Sequence, residues 1–283
     1  MGQKLFHFRR KKKEDSKTVL FSAASDIGIA RSTNQDNLFV MRPVVTHDKL
    51  EHYSVSGTVQ LPALFAICDG MGGGKNGELA SYLATEMIAE VSVHQLASME
   101  NDQLEEHFTK LYQKMSDTVY TDYGHLGVLV GCTATLLYLD EKRIYMVNAG
   151  DSPGICYSEE SLQVKTQSDN RANQLYLMGQ ISEQERWTHK TKNQLTQYLG
   201  MDPEEVRMSP HTVRMDWPKE DALFLICSDG LLDKNSFQTL EHCLRRSQIE
   251  DAAKNCVQSA LKAGSRDNVT AIVVKVEAQG NDA

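Results

Sequence analysis

Residues 64–81 read LFAICDGMGGGKNGELAS and join an apolar run of strand length to a helical pattern. The apolar run ends at Asp69, and a carboxylate at the end of a buried strand is costly unless a cation pairs with it. Five glycines follow between residues 70 and 77, where they allow sharp turns and close approach to a ligand. An Asp-Gly pair alone is a common turn signal. The same design recurs at residues 223–230, LFLICSDG, so both carboxylates are candidates for one functional site.

The hydrophobic pattern on either side of this stretch predicts a chain of mixed strands and helices. Apolar residues recur at helical spacing over about 77–122, which predicts two consecutive amphipathic helices. The period then changes to that of an antiparallel hairpin, with strands at 132–139 and 143–149. Polar, helix-prone residues at 165–213 interrupt the strands like an inserted subdomain. The other predicted elements are strands at 19–25 and 269–276, a hairpin or loop at 42–60, and helices at 236–246 and 249–263.

The chain has 283 residues and a formal net charge of −8, which is unevenly distributed. Residues 4–13 contain six basic residues and no acidic one, so the remainder carries −14, that is −8 minus 6. A body with this charge repels phosphate backbones, so we expect no nucleic-acid partner. We expect residues 1–18 to form a basic, disordered arm and residues 278–283 a disordered tail. Weak contact of the arm with an acidic membrane surface is the alternative.

The spacing of the cysteines and the length of the apolar runs bear on the cellular compartment of the protein. The six cysteines show no C-x-x-C spacing, and without a secretory context we expect all of them to be reduced. No apolar run is long enough to cross a membrane, and the N-terminus lacks the apolar core of a signal peptide. We therefore expect a cytoplasmic protein without a transmembrane segment.

Carboxylates at strand ends are the main candidates for chemistry. Such a set of oxygens favours hard cations such as Mg²⁺ or Mn²⁺, and two such ions about 3.5–4 Å apart can activate a bridging water and clamp a phosphoryl group. Arg31 would then supply a bidentate fork for phosphate oxygens. The alternative is that each aspartate only forms a turn or caps a helix. The five aspartates are Asp36, Asp69, Asp151, Asp229 and Asp267.

Six short motifs surround these aspartates. They are Arg31-x-x-Asn34-Gln35-Asp36, Asp69-Gly70-Met71-Gly72-Gly73, Gly131-Cys132-Thr133-Ala134, Gly150-Asp151-Ser152, Ser228-Asp229-Gly230 and Asp267-Asn268-Val269-Thr270. Their order resembles that of the metal-dependent Ser/Thr protein phosphatases of the 2C type, and the bacterial branch of that family is the most similar. The resemblance covers roughly residues 19–277 and implies one catalytic domain, with a flap insertion at about 165–213.

The resemblance implies an α+β fold, a four-layer α-β-β-α sandwich in which helix pairs flank two antiparallel sheets. It implies two Mn²⁺ or Mg²⁺ ions at one edge of the sandwich, with a third and weaker ion beside them. Asp69 would bridge both metals, and the Gly70 carbonyl would complete one of them. Asp229 and Asp267 would bind the other metal.

The same resemblance assigns three further residues. Asp36 would hold metal-bound water, Arg31 would grip the substrate phosphate, and Asp151 would contribute to the third metal. Arg31, Asp36 and Asp69 are thus the implied catalytic residues.

Three positions depart from the family pattern. Gln35 replaces the usual Glu, which weakens water-mediated support at one metal. Pro153 replaces the usual Arg after the Gly-Asp-Ser motif. Met71 stands where some eukaryotic relatives carry a His proposed as general acid, although Met is common there in the bacterial branch. None of these changes removes a carboxylate that would bind a metal directly.

The implied function is hydrolysis of phosphoserine and phosphothreonine in proteins by attack of a metal-bridging hydroxide. The implied partners are phosphorylated proteins, most plausibly a bacterial Ser/Thr kinase and its targets, and we expect a monomer. One alternative is a pseudophosphatase that uses the same fold to bind a partner, and another is a small-molecule phosphatase with the same metal chemistry. The presence of Asp69, Asp229 and Asp267 favours an active enzyme.

Overall fold

The computed structural model describes residues 17–72, 76–123 and 129–278. The strands are β1 (Thr18–Asp26), β2 (Asp36–Val40), β3 (His52–Gln60), β4 (Ala63–Gly72), β5 (Val130–Cys132), β6 (Ala134–Leu139), β7 (Arg143–Ala149), β8 (Gly154–Ser158), β9 (Ser161–Val164), β10 (His211–Asp216), β11 (Ala222–Cys227) and β12 (Val269–Val276). The helices are α1 (Asn76–Ala89), α2 (Val93–Ala97), α3 (Asn101–Asp122), α4 (Arg171–Leu177), α5 (Glu183–Arg186), α6 (Phe237–Arg246) and α7 (Ile249–Ala263).

The strands form two antiparallel sheets. The first has the order β3-β1-β12-β11-β8-β9, and the second has the order β10-β7-β6-β4-β2, with β5 paired to the end of β4. Because β7 belongs to the second sheet and β8 to the first, the chain crosses between the sheets at residues 150–153. This crossing is one of the points from which the functional residues project.

Side chains on the two faces of β4 explain the layering. Leu64, Ala66 and Cys68 point into a core shared with α1 and α3, whereas Phe65 and Ile67 point into the core between the sheets. Alternate residues of a strand face opposite sides, so both faces of this strand must be apolar. Burying each large side chain such as Phe65 contributes roughly 1.5–3 kcal/mol.

A second helical layer covers the first sheet. Helices α6 and α7 pack on it through a third core, a buried cluster that contains Leu240, Ala253 and Val257 together with residues of β11 and β12. The order of layers is helices, second sheet, first sheet, helices. The predicted α+β fold, a four-layer α-β-β-α sandwich of two antiparallel sheets flanked by helices, is confirmed.

Several predicted elements differ from the structure in their bounds. Asp69 lies within β4 and not at its end, because the strand continues to Gly72 by pairing with β5. The region predicted as two helices over 77–122 contains three, since Ser92 caps the short α2 between α1 and α3. The predicted strands at 143–149 and 269–276 have the bounds of β7 and β12.

The segment between β9 and β10, residues 165–210, is called the flap below. It contains α4 and α5, and the last residues of the predicted insertion at 165–213 belong to β10, which pairs with β7. The predicted disordered arm and tail lie almost wholly outside the described residues. All six cysteines are free thiols, as predicted. Within the described part of the chain, no helix is both long and apolar enough to cross a membrane.

Candidate metal centre

The predicted site residues converge at one edge of the sandwich, where strands of both sheets begin or end. Asp36 opens β2, and the other predicted residues line one cavity of about 220 Å³. Two departures from the family pattern, Gln35 and Met71, line it as well. The cavity, called the metal cavity below, is lined by Arg31, Gln35, Asp69, Gly70, Met71, Gly72, Thr133, Asp151, Asn193, Leu195, Asp229 and Asp267.

Asp36 and Asp69 face each other across neighbouring strands. They are register partners in the β2–β4 ladder, so the buried Asp36 lies beside Asp69, which lines the cavity. Asp36 Oδ2 accepts hydrogen bonds from Ser228 Oγ and Thr270 Oγ1, both at 2.7 Å. Burial raises the pKa of Asp36 to about 7, although these two hydroxyls oppose the shift. Burial, followed by repulsion from Asp36, raises the pKa of Asp69 well above its usual range.

Asp151 occupies the crossing between the sheets. Gly150 precedes it with φ +103°, and a Cβ there would lie 2.6 Å from the Thr133 Cβ, so the turn requires glycine. Burial, followed by repulsion from Asp229, raises the pKa of Asp151 to about 8. A hydrogen bond with the Asn170 side chain of the flap opposes this shift.

Asp229 and Asp267 lie in the connections after β11 and before β12. Burial, followed by repulsion from Asp267, raises the pKa of Asp229 to about 6. Arg31 Nη2 donates to Asp267 Oδ2 at 2.7 Å, and this bond raises the pKa of the guanidinium. The Arg31 side chain is 50% exposed, so it can reach a ligand from solvent.

An oxygen-binding cation fits this group of residues. The cavity concentrates carboxylates, and Asp36 Oδ1 is buried without a hydrogen-bond partner among the described residues. A buried carboxylate oxygen is costly unless hydrogen bonds or a cation compensate it. Across the described ranges, no three His, Cys, Asp or Glu side chains form a ready-made metal site.

Hydroxyl and amide side chains hold this edge together and were not predicted individually. Asn268 accepts from the Gln35 backbone N–H at 2.9 Å and donates to the Thr33 carbonyl at 3.0 Å. Thr133 Oγ1 accepts from the Asp69 backbone N–H at 3.1 Å. Asn268 and Thr133 belong to the quoted motifs, so their position beside the aspartates in the sequence could have identified them as part of the site. Asn193 of the flap also lines the cavity, and nothing in its sequence context indicated this.

A buried network joins the flap to the turn before Asp151. Asp169 Oδ2 accepts from the Gly150 backbone N–H at 3.0 Å and from Gln197 Nε2 at 2.9 Å. Its Oδ1 lies 2.6 Å from His211 Nε2 at the start of β10. The hydrogen bond with Asp169 raises the pKa of His211 above 6.5, so protonated His211 stabilises the folded chain.

This ion pair predicts that the free energy of unfolding falls as the pH rises. A histidine whose folded-state pKa is raised stabilises fully below its unfolded pKa of 6.5, and that contribution disappears as the pH passes the folded-state pKa. We expect a loss of about 1 kcal/mol, which is below the usual value for a charge-assisted hydrogen bond because His211 is partly exposed. Urea titrations of the parent and of His211→Gln between pH 5.5 and pH 9 would measure it.

His52→Gln is the matched control for this prediction. His52 Nδ1 lies 2.8 Å from Asp26 Oδ2, but its side chain is 76% exposed, so solvent screens the pair. The His52→Gln protein should keep the pH dependence of the parent, and the His211→Gln protein should lose part of it. Equal curves for the parent and His211→Gln would show that this pair does not link stability to pH.

Comparisons with known proteins point to a single family. The family model described as Protein phosphatase 2C matches residues 45–267. The serine/threonine protein phosphatase PstP of Mycobacterium tuberculosis is 26% identical over 266 residues, which cover 90% of this chain and 45% of PstP. The chain therefore spans about half the length of this relative. The matched family range begins after Arg31 and Asp36.

Solved structures match almost the whole chain. Serine/threonine phosphatase Stp1 from Staphylococcus aureus has a TM-score of 0.76 at 26% identity and covers 91% of this chain and 94% of its own. The catalytic domain of PstP in complex with two manganese ions has a TM-score of 0.70 at 24% identity and covers 92% of this chain and 100% of its own. The second match supports the fold alone.

Proposed function

Because this chain belongs to the protein phosphatase 2C family, we propose that it is a metal-dependent hydrolase of phosphoserine and phosphothreonine in proteins. One observation carries the proposal: four aspartates and Arg31 line a single cavity, and Asp36 is the register partner of Asp69 on the neighbouring strand. Carboxylates bind hard cations, and an arginine binds phosphate oxygens. Their combination suits transfer of a phosphoryl group to water.

The residues that would hold two divalent ions are Asp69, the Gly70 carbonyl, Asp229 and Asp267, with Asp151 at a third ion. The chemistry that such a pair would supply is a lowered pKa for a bridging water molecule, so that hydroxide would be the nucleophile, and neutralisation of phosphoryl charge. Manganese in the PstP catalytic domain, a protein of the same fold, supports Mn²⁺ as the cofactor, and Mg²⁺ has the same preference for oxygen ligands.

The protein's own groups would bind the substrate and orient water. Arg31 is half exposed at the mouth of the cavity, where its guanidinium would exchange the Asp267 carboxylate for phosphate oxygens. Asp36 Oδ2 accepts the two hydroxyl hydrogen bonds, whereas Oδ1 remains available as an acceptor. That oxygen would fix the orientation of water beside Asp69.

The position of the site favours phosphoproteins over metabolites. The side chains of Arg31 and Asp267 are 50% and 33% exposed, so a loop of another protein can approach them. We propose phosphorylated proteins, most plausibly a bacterial Ser/Thr kinase and its targets, as the substrates. Six free cysteines support a reducing compartment such as the cytoplasm.

A panel of phosphate monoesters tests the substrate class. The Mn²⁺-loaded protein would be assayed for phosphate release from phosphothreonine, phosphoserine and phosphotyrosine peptides and from sugar phosphates. We expect the first two peptides to be hydrolysed with the highest kcat/KM. Faster hydrolysis of sugar phosphates would favour a small-molecule phosphatase, and phosphopeptide binding without any turnover would favour a pseudophosphatase.

Arg31→Ala should impair substrate binding more than metal binding. Losing a charged contact to phosphate costs about 1.5–3 kcal/mol, which corresponds to roughly a 10- to 100-fold fall in kcat/KM on phosphopeptides. Metal affinity should not fall, because the substitution removes no metal ligand and only removes the cation that pairs with Asp267. Steady-state kinetics at saturating Mn²⁺ and calorimetric Mn²⁺ titrations would separate the two effects.

Arg245→Ala is the control for Arg31→Ala. Arg245 is an exposed arginine on α6, so it loses the same charge outside the metal cavity. Its kcat/KM should equal that of the parent. An unchanged kcat/KM in Arg31→Ala would remove Arg31 from the phosphate site.

A further inference from the structure

A second cavity adjoins the metal cavity and lies beneath the flap. Both cavities are lined by Asp151, Asn193 and Asp229, so a group bound in one lies beside a group bound in the other. The additional lining of this flap cavity combines polar and apolar side chains and comes from Pro153, Ser168, Asn170, Asn173, Arg186, Trp187, Lys192 and Leu232.

Arg186 is the most firmly held cation of the flap. Its guanidinium lies 4.7 Å from the ring centroids of both Tyr176 and Trp187. The Trp187 ring makes an edge contact with the Phe237 ring of α6, with the centroids 5.0 Å apart and an interplanar angle of 74°. This contact attaches the stack to α6. Nη1 of Arg186 donates to Asn173 Oδ1 at 2.9 Å. A planar cation fixed in this way loses little conformational entropy when it binds an anion.

This guanidinium has weak anionic partners. Its ion pair is with Glu183, at 3.4 Å, and the Glu183 side chain is 68% exposed while that of Arg186 is only 17% exposed. Its Nε–H is buried and has no acceptor among the described residues. Exposed ion pairs contribute little, whereas a buried donor without an acceptor is costly. Arg186, which lines the flap cavity, is therefore a poorly compensated cation.

The other basic residues of the flap differ from Arg186. Arg171, Lys190 and Arg207 are exposed, and Lys192 lies 3.2 Å from Asp233. Arg186 differs from these residues because it is mostly buried and stacked on aromatic rings. Its interaction with an anion would be stronger, since a charge interaction strengthens as solvent is excluded.

We propose that the flap cavity binds an oxyanion of the substrate next to the phosphoryl group that is hydrolysed. The oxyanion is the carboxylate of a nearby Asp or Glu or the phosphate of a second phosphorylated residue. Arg186, which Asn173 Oδ1 holds in place, recognises it. The proposal rests on the proposed phosphatase activity, in which divalent ions neutralise Asp151 and Asp229. Arg186 and Lys192 are then the charges that face the cavity, and they favour an anion.

Matched phosphothreonine peptides test this specificity. One series places Asp or Glu at successive positions around the phosphothreonine, a second places phosphoserine there, and a third places Ala. The parent, Arg186→Gln, Arg186→Lys and the control Arg171→Gln would be compared by the ratio of kcat/KM for each acidic peptide to that for its alanine counterpart. Arg171 is an exposed flap arginine on α4, so its substitution removes the same charge outside the cavity.

We expect the parent to prefer an acidic peptide about tenfold at one position, since a charged hydrogen bond is worth about 1.5 kcal/mol or more. In Arg186→Gln, the ratio of kcat/KM for the acidic peptide to that for the alanine peptide should fall to near one, mainly because KM for the acidic peptide rises. In Arg171→Gln, this ratio should equal that of the parent. A higher ratio for the phosphoserine series than for the Asp and Glu series identifies phosphate as the group bound, and the reverse identifies a carboxylate.

Three results would overturn the proposal. They are a parent that hydrolyses all peptides equally, a preference that survives in Arg186→Gln, and an equal loss of preference in Arg171→Gln. If Arg186→Gln does not fold, the parent ratios and Arg186→Lys decide, because lysine keeps the charge but loses the planar stack and should show a reduced ratio. A parent that hydrolyses no phosphopeptide contradicts the proposed function instead, so the two failures are distinct.

Discussion

Asp69→Asn should abolish phosphopeptide hydrolysis while the chain remains folded. The substitution removes the charge of the carboxylate opposite Asp36 but nearly keeps its volume. We expect a fall in kcat of at least about 1000-fold, since loss of a single neutral oxyanion donor already costs about 10²–10³. Phosphate release at saturating Mn²⁺ would measure it.

Thermal unfolding separates loss of metal binding from loss of fold. Burial and neighbouring carboxylates raise the pKa of Asp69, so its ionised form destabilises the metal-free protein at neutral pH. Metal-free Asp69→Asn should therefore have a Tm no lower than that of the parent. Mn²⁺ should raise the Tm of the parent, as a ligand of the native state does, and raise that of the variant much less.

Asp117→Asn provides the control for this experiment. Asp117 is exposed on α3, and the same chemical change there should alter neither turnover nor the effect of Mn²⁺. Substantial turnover by Asp69→Asn at saturating Mn²⁺ would contradict the proposed role of this carboxylate.

Gly70→Ala should destabilise the fold and disrupt the metal centre together. An added Cβ would lie 2.2 Å from the Gly77 carbonyl oxygen and 2.5 Å from the Gln35 carbonyl oxygen. Both are backbone atoms, on α1 and on the approach to β2, so no side-chain rotation relieves the contacts. Overpacking of a well-packed core typically costs about 1–3 kcal/mol and sometimes more, and we expect a loss at or above about 3 kcal/mol. Urea unfolding and phosphopeptide turnover would both report it.

Gly179→Ala distinguishes steric contact from the general cost of replacing a glycine. Gly179 in the flap has φ +70° and no atom within 4 Å of an added Cβ, so only the left-handed backbone is penalised, at about 1–2 kcal/mol. Its metal-dependent turnover should resemble that of the parent. A Gly70→Ala protein no less stable than Gly179→Ala would show that the strand and α1 can move apart.

Hydrophobic periodicity predicted many of the individual strands and helices, because the strands are alternating or continuously apolar, whereas the four-layer arrangement was implied by the family resemblance alone. Strand β12 has the predicted bounds since apolar residues fill it almost completely. The end of β4 was harder to predict, because Asp69 and the glycines after it resemble a turn in sequence. Pairing with β5, more than fifty residues later, keeps this stretch extended, and local sequence carries no sign of a partner so distant.

The candidate site was predictable where short motifs mark it. In the sequence, Asp69, Asp229 and Asp267 follow or precede apolar runs of strand length, which marked them as candidates for one site, and the order of the motifs implied that they meet at one edge of the sandwich. The contribution of the flap could not be expected in this way. Asn193 and Arg186 reach the two cavities through the packing of irregular backbone, including the contact between Trp187 and Phe237, and such packing leaves no periodic pattern.

Phosphate release from a phosphothreonine peptide as a function of divalent metal tests the proposed chemistry of the metal centre. The chain would first be stripped with EDTA, then titrated with Mn²⁺, Mg²⁺ or Zn²⁺ while phosphate release is followed. We expect no turnover without metal and saturable activation by Mn²⁺ or Mg²⁺, as a site built from carboxylate oxygens requires. Full turnover by the metal-free chain, or activation by Zn²⁺ alone, would contradict it.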